Sequence, residues 1–117
     1  MMLIDDDRTT VMLLETLLSL DGFEVVQAAR GSEALEKARQ EQPDAFLIDY
    51  HLSGGMHGTE IIGKLRADPA FKRAPIIMTS GMNVEEAALS AGADVFLIKP
   101  FDPSELPGLF NRLLNAV

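Results

Sequence analysis

An α/β domain built on a parallel sheet is the fold class this sequence predicts, and two features carry that prediction. Short apolar runs alternate with segments of helical periodicity along all 117 residues. Strand candidates after the first are apolar runs more than strict alternations, the mark of strands covered by helices on both faces. Neither a repeat nor a linker interrupts the pattern, so a single domain over residues 1–117 is expected.

The elements follow in order. "MMLI" (1–4) is a short strand running into three aspartates, and "VMLLETLLSL" (11–20) is leucine-rich at helical spacing with Gly22 as its stop. "FEVVQAA" (23–29) is a strand. Gly31 and Ser32 open a helix over 32–42 that Pro43 closes. "AFLIDY" (45–50) is a strand followed by a loop, and "GTEIIGKLRAD" (58–68) is a helix stopped before Pro69. "PIIMTSG" (75–81) is a strand. A short helix over 83–92 has Asn83 as cap and Glu86 three residues on. "DVFLIKP" (94–100) is the last strand. For the last helix, Asp102, Pro103 and Glu105 resemble a cap, a first-turn proline and a capping acid, but Pro107 would then fall in the helix interior. Ser104 as N-cap, with the helix over 104–116, places Pro107 in the first turn instead.

Ten basic against eighteen acidic residues give a net charge of −8, which argues against a nucleic-acid surface. The absence of cysteine excludes disulfides and thiolate metal sites. No apolar run approaches the roughly 20 residues of a membrane span, and "MMLIDDD" lacks the basic and long apolar regions of a signal peptide, so a cytoplasmic location is expected.

In such a fold ligands sit outside the carboxyl ends of the strands. Those ends carry Asp5, Asp6 and Asp7, then Asp49, then Thr79 and Ser80, then Lys99 and Pro100. Each has an ordinary reading: the first three as helix caps, Asp49 as a turn residue, Lys99 as a solvated end, and His51 and His57 as loop residues. Together they are harder to explain that way. Carboxylates gathered at one sheet edge raise one another's pKa unless a cation or a lysine offsets them. Oxygen ligands with retained waters suit Mg²⁺. Lysine and a hydroxyl suit a transferred anionic group, and phosphoryl transfer depends mainly on positioning and charge stabilisation. Asp49 is then left as a nucleophile able to carry an acyl phosphate.

The ordered set "LIDDD", "FLIDYHL", "PIIMTSG", "AGAD" and "FLIKPF" resembles the receiver domain of two-component response regulators over essentially the whole chain. The resemblance implies a flavodoxin-like doubly wound sheet in order 2-1-3-4-5, with three helices on one face and two on the other. It implies Asp49 as phosphoacceptor and Mg²⁺ held by Asp6 directly, by Asp5 partly through water, by Asp49 and by the backbone carbonyl of His51. Lys99 corresponds to the phosphoryl-binding lysine, followed by a cis bond to Pro100. Ser80 corresponds to the switch hydroxyl, with Thr79 competing for the role, and Phe96 to the aromatic that turns inward with it, or to a plain core phenylalanine. The implied partners are a sensor histidine kinase or phosphotransfer protein, with small phosphodonors as further sources. A homodimer through the face of helix 4, strand 5 and helix 5 is a further implication, with no nucleic acid or membrane bound. Such a domain assists its own phosphorylation and dephosphorylation without being an enzyme on other substrates.

Three departures stand out. Ser53 occupies a place where the family often has proline, and "SGGMHG" (53–58) is longer by one residue than the family's loop. From Ser80 to Lys99 the chain is short by about one helical turn, which puts partner choice in question. Only four residues precede Asp5, as in a chain cut from a longer protein. The binding-class alternative is a receiver that works without phosphorylation, against which the intact set Asp5, Asp6, Asp49, Ser80 and Lys99 argues. A haloacid dehalogenase type would need an acid where His51 stands. A flavodoxin-type cofactor binder would need a phosphate loop where the acid triplet stands.

Overall fold

The computed structural model describes residues 1–52 and 55–115. The expectation for Ser53 therefore lies outside the described residues, as does the conformation of Gly54 in the longer loop. Five strands alternate with five α-helices: β1 (Met2–Ile4), α1 (Arg8–Leu20), β2 (Val26–Ala28), α2 (Gly31–Glu41), β3 (Phe46–Asp49), α3 (Gly58–Ala67), β4 (Ile76–Ser80), α4 (Glu85–Ala91), β5 (Val95–Ile98) and α5 (Leu106–Asn115). The strands form one parallel sheet in the order β2-β1-β3-β4-β5. This is the expected order.

Two apolar cores lie on the two faces of that sheet. One joins Ile4, Phe46, Ile48, Ile76 and Met78 to α2, α3 and α4 through Ala34, Ala38, Ile61, Ile62, Leu65 and Ala88. The other joins Leu3, Leu47 and Ile77 to α1 and α5 through Val11, Leu14, Leu18, Leu106 and Phe110. The division is three helices against two. Alternation along β3 and β4 sends successive residues to opposite cores, which is why these strands read as unbroken apolar runs. The edge strands differ from expectation. β2 is only partly buried, and β5 is half-buried along Val95, Phe96 and Leu97 and open at Ile98, because each has a strand neighbour on one side only.

Several element ends also moved. α1 begins at Arg8 because Asp7 caps it, accepting from the Thr9 amide at 3.1 Å and the Thr10 hydroxyl at 2.7 Å. β2 covers three residues instead of seven, since it pairs only with β1, itself three residues long. Phe23 and Val25 still pack into the core beside it. α4 starts at Glu85, and the expected capping box of Asn83 with Glu86 does not form. The Asn83 side chain instead accepts from the Glu85 amide at 3.3 Å, ahead of the helix. Nor does Ser104 cap the last helix. Asp102 accepts from the Ser104 amide and hydroxyl, and a 3-10 turn over Pro103–Glu105 leads into α5. The Leu106 amide bonds to the Pro103 carbonyl, which is the carbonyl a residue at 107 would otherwise seek. Pro107, lacking an N–H, therefore sits in the helix at no cost in hydrogen bonds.

Candidate functional site

Parallel strands all point their carboxyl ends the same way, so the ends of β1, β3, β4 and β5 meet at one rim. β1 is followed by Asp5, whose amide is still held by the Ala28 carbonyl at 3.2 Å. β3 ends on Asp49, aligned with Thr79 of β4. β5 is followed by Lys99, whose amide bonds to the Ser80 carbonyl at 2.7 Å, and the Lys99–Pro100 bond is cis, as expected.

The side chains converge there. Carboxylate oxygens of Asp5, Asp6 and Asp49 lie within 4.8 Å of one another. Asp5 is 9% exposed and Asp49 8%, while Asp6 faces solvent. The Lys99 ammonium stands 3.2 Å from Asp49 and 3.5 Å from Asp5. Asp5 also accepts from the Asp7 amide at 2.9 Å, which fixes its carboxylate against the start of α1. Burial first, and then the charge of Asp5, hold the Asp49 carboxyl above the ordinary range, although Lys99 pulls the other way. Burial acts to lower Lys99, but Asp5 and Asp49 outweigh it and hold the ammonium above its ordinary value. The result is a half-neutralised nest of acids with oxygen donors spaced for a hard divalent cation and one lysine beside them.

The two hydroxyls at the end of β4 separate. Thr79 lines a small enclosed pocket beneath the rim together with Asp5, Asp49 and Lys99. Ser80 is fully buried and its hydroxyl accepts from the Met82 amide at 3.1 Å. Phe96 is half-buried against the core of the α2–α4 face, in register with Met78, two residues before Ser80. His51 is exposed and touches the edge of Tyr50, ring centroids 4.8 Å apart, with His57 stacked at 6.1 Å on Tyr50 as well.

One participant escaped sequence reasoning. Gly58, the first residue of α3, donates its amide to the Tyr50 carbonyl at 3.0 Å, and a Cβ there would stand 2.4 Å from the Asp49 carbonyl oxygen. Only glycine lets α3 close against the backbone of the candidate nucleophile. The signal was the glycine opening the "GTEIIGKLRAD" helix, but nothing local in the sequence shows that this helix starts against the Asp49 carbonyl.

Asp7 has a simpler place. Its bond from the Thr10 hydroxyl, with the Thr9 and Thr10 amides assisting, holds its carboxyl below the ordinary value. It acts as a helix cap.

Comparison with known proteins agrees with this arrangement. The family model of the response regulator receiver domain matches residues 1–111. The transcriptional regulatory protein PrrA of Mycobacterium tuberculosis is 36% identical over 115 residues, covering 97% of this chain and 49% of that protein. The phosphate regulon transcriptional regulatory protein PhoB of Rhizobium meliloti is 35% identical over 115 residues, covering 96% and 50%. The chain thus spans about half the length of the curated relatives it matches. Among solved structures, the chemotaxis protein CheY4 of Vibrio cholerae superposes with a TM-score of 0.87 at 30% identity, covering 96% of this chain and 95% of that one. The receiver domain of the sensor histidine kinase PA1611 from Pseudomonas aeruginosa, described with a magnesium ion coordinated in its active-site cleft, superposes with a TM-score of 0.87 at 28% identity, covering 97% and 95%. With the sheet order, the acid nest, the lysine and the matched sequence all in agreement, the chain belongs to the response regulator receiver domain family of two-component signalling.

Proposed function

We propose that Asp49 accepts a phosphoryl group from the phosphohistidine of a sensor kinase or phosphotransfer protein, or from a small phosphodonor, with Mg²⁺ bound. The observation that carries this reading is the convergence of three carboxylates within 4.8 Å of one another around the Lys99 ammonium. A carboxylate oxygen of Asp49 attacks phosphorus as the P–N bond of the donor breaks, its electron pair returning to the imidazole. Asp5, Asp6, Asp49 and the carbonyl of His51 would hold the cation, an all-oxygen donor set of the kind Mg²⁺ takes. The cation supplies charge neutralisation at the phosphoryl oxygens. Lys99, already paired with Asp49, follows the charge onto the acyl phosphate.

The switch in this reading is Ser80. Its hydroxyl holds the Met82 amide, and turning toward a phosphoryl oxygen breaks that bond and frees the segment leading into α4. Phe96 follows into the space beside it, and the surface from β4 to α5 changes its preferred state. A phosphorylation-independent binding module would have no use for an intact acid nest, and the geometry favours the phosphoacceptor.

Intact-mass measurement after incubation with acetyl phosphate and Mg²⁺ tests the reading. One phosphoryl mass is expected on the parent chain, none on Asp49→Asn, and none without Mg²⁺ or on Asp6→Ala. The single tyrosine stands next to Asp49 in a chain without tryptophan, so its fluorescence reports metal binding separately. Equal labelling of Asp49→Asn would overturn the assignment.

A further inference from the structure

Thr79 is buried beside the nucleophile, yet neither metal binding nor the switch uses it. Pairing of β3 with β4 sets it directly opposite Asp49. The two share a face of the sheet, because each lies two residues beyond a member of the α1–α5 core, Leu47 for Asp49 and Ile77 for Thr79. Asp5 follows Leu3, and Lys99 follows Leu97, at the same spacing on that face. Asp5, Asp49, Thr79 and Lys99 therefore form one polar layer across four neighbouring strand ends, next to an apolar layer of Leu3, Leu47, Ile77 and Leu97. Ser80 belongs with Met78 to the opposite face.

Packing does not explain threonine at this place. The residue is 3% exposed, and valine has nearly its shape without a hydroxyl that must find a partner. Thr79, Asp5, Asp49 and Lys99 line an enclosed cavity of about 10 Å³, with Leu14 and Leu47 on its apolar side. That is about the space one water molecule requires, and such a water makes roughly two to four hydrogen bonds to polar groups around it. Thr10 also lines the cavity, but its hydroxyl is committed to Asp7 at 2.7 Å. The Lys99 ammonium directs bonds at Asp49, 3.2 Å away, and Asp5, 3.5 Å away, and a lysine ammonium has a further N–H to give. A water in the cavity accepts that N–H, donates to a carboxylate and shares a bond with the Thr79 hydroxyl.

We propose that Thr79 is a positioning residue for phosphoryl transfer: through one buried water shared with Asp5, Asp49 and Lys99, its hydroxyl fixes the ammonium where a phosphoryl oxygen arrives. As Asp49 becomes an acyl phosphate, Lys99 must exchange its bond to the carboxylate for one to the phosphoryl group. A long side chain held by Asp5 alone swings during that exchange, and the water with Thr79 gives it a second fixed point. Orientation of this kind raises the rate without contact with donor or cation. The inference rests on the reading of Asp49 as phosphoacceptor and adds a residue to it.

The test compares two variants with opposite defects. Thr79→Val keeps the shape and loses the hydroxyl, whereas Thr79→Ser keeps the hydroxyl and loses a methyl group. Labelling by acetyl phosphate at saturating Mg²⁺ is followed by intact mass, well below the melting temperature of each protein. Thr79→Val is expected to label roughly tenfold more slowly than the parent chain and Thr79→Ser at close to the parental rate. Titration of the Tyr50 fluorescence with Mg²⁺ is expected to be the same for all three. Crystal structures should show a water in the parental cavity and none in that of Thr79→Val. A packing role alone predicts the reverse order of rates, since serine opens a hole and valine does not. That order, or a valine variant that labels at the parental rate, overturns the inference. So does a dry parental cavity, or a loss of Mg²⁺ affinity large enough to account for the slowing. In each of these outcomes the parent chain is still labelled on Asp49, and the phosphoacceptor reading stands. A parent chain that takes no label sinks that reading, and this inference with it.

Discussion

Asp49 ionises at a cost in the folded chain. Burial and the neighbouring Asp5 raise its pKa against the pull of Lys99, so the fold favours the protonated carboxyl. A raised folded-state pKa contributes stability below the unfolded value, about 3.9, and that contribution is lost as pH rises through the folded value. At neutral pH the metal-free protein therefore carries the full penalty of an ionised Asp49. Asp49→Asn removes the charge while keeping the shape. Its expected effect is a melting temperature higher by a few degrees at neutral pH in chelator, at roughly 4–8 °C per kcal/mol for a small domain, with the gain vanishing in strong acid. Melts showing no gain at neutral pH would contradict the account. The same unrelieved charge prepares the residue for its role, since a carboxylate short of countercharge has most to gain from a cation and from the transfer of an anionic group to a site beside lysine. At this scale the sequence was informative about identity: Asp5, Asp6, Asp49 and Lys99 were readable because each terminates an apolar run. It favoured Ser80 over Thr79 as the switch hydroxyl only through the resemblance, because neighbours in a strand point to opposite faces and residue type alone does not tell which of two hydroxyls turns toward the acids.

At the scale of elements, α3 offers a comparison within one helix. Gly58 lies against the Asp49 carbonyl, whereas an added Cβ at Gly63 would meet nothing within 4 Å. Gly58→Ala must push apart backbone that has no room to yield, and a cost of about 1–3 kcal/mol is expected, together with slower labelling of Asp49 as the nucleophile shifts. Gly63→Ala, at an exposed position inside the helix, is expected to stabilise by about 0.5–1 kcal/mol through helix propensity alone. Urea denaturation of both variants checks the pair, and a similar effect of the two substitutions would refute the packing argument. The ends of the other elements show why local patterns mislead by a few residues. Hydrophobic periodicity placed the start of α1 at Val11, but a cap residue decides where a helix begins, and Asp7 is four residues before the first buried one of that helix. The 3-10 turn before α5 likewise answers to Asp102 and Pro107 together, a compromise that neither motif predicts alone.

For the whole molecule, the end of the sheet opposite the rim is tied by one side chain. The Arg66 guanidinium donates to the carbonyls of Phe71, Lys72, Ala74 and Gly92 at 2.7–3.2 Å and to the Asp94 carboxylate at 3.1 Å, and Asp94 also accepts from the Ile76 amide at 2.8 Å. It thus joins α3, the segment before β4 and the turn between α4 and β5. Arg66→Ala orphans several carbonyls, most of them partly buried, and is expected to destabilise the fold by roughly 2–4 kcal/mol in urea. Labelling of Asp49 at the far end of the sheet should be unchanged under folding conditions, and a labelling defect at full folding would show that the two ends are coupled. The sequence by itself determined the order and type of the elements, the parallel sheet and the residues at its rim, because alternation of strand and helix, apolar runs and terminal acids are local patterns that survive without knowledge of neighbours. Tertiary structure alone decided that β2 is cut to the length of β1, that Thr79 lines the small pocket beneath the rim while Ser80 holds the Met82 amide, that Gly58 must be glycine, that Arg66 clasps three segments and that Ile98 is left uncovered. Each of these depends on which atoms from distant parts of the chain come to lie within a few ångströms, and pairing and packing across the sheet, rather than any property of a single segment, set those distances.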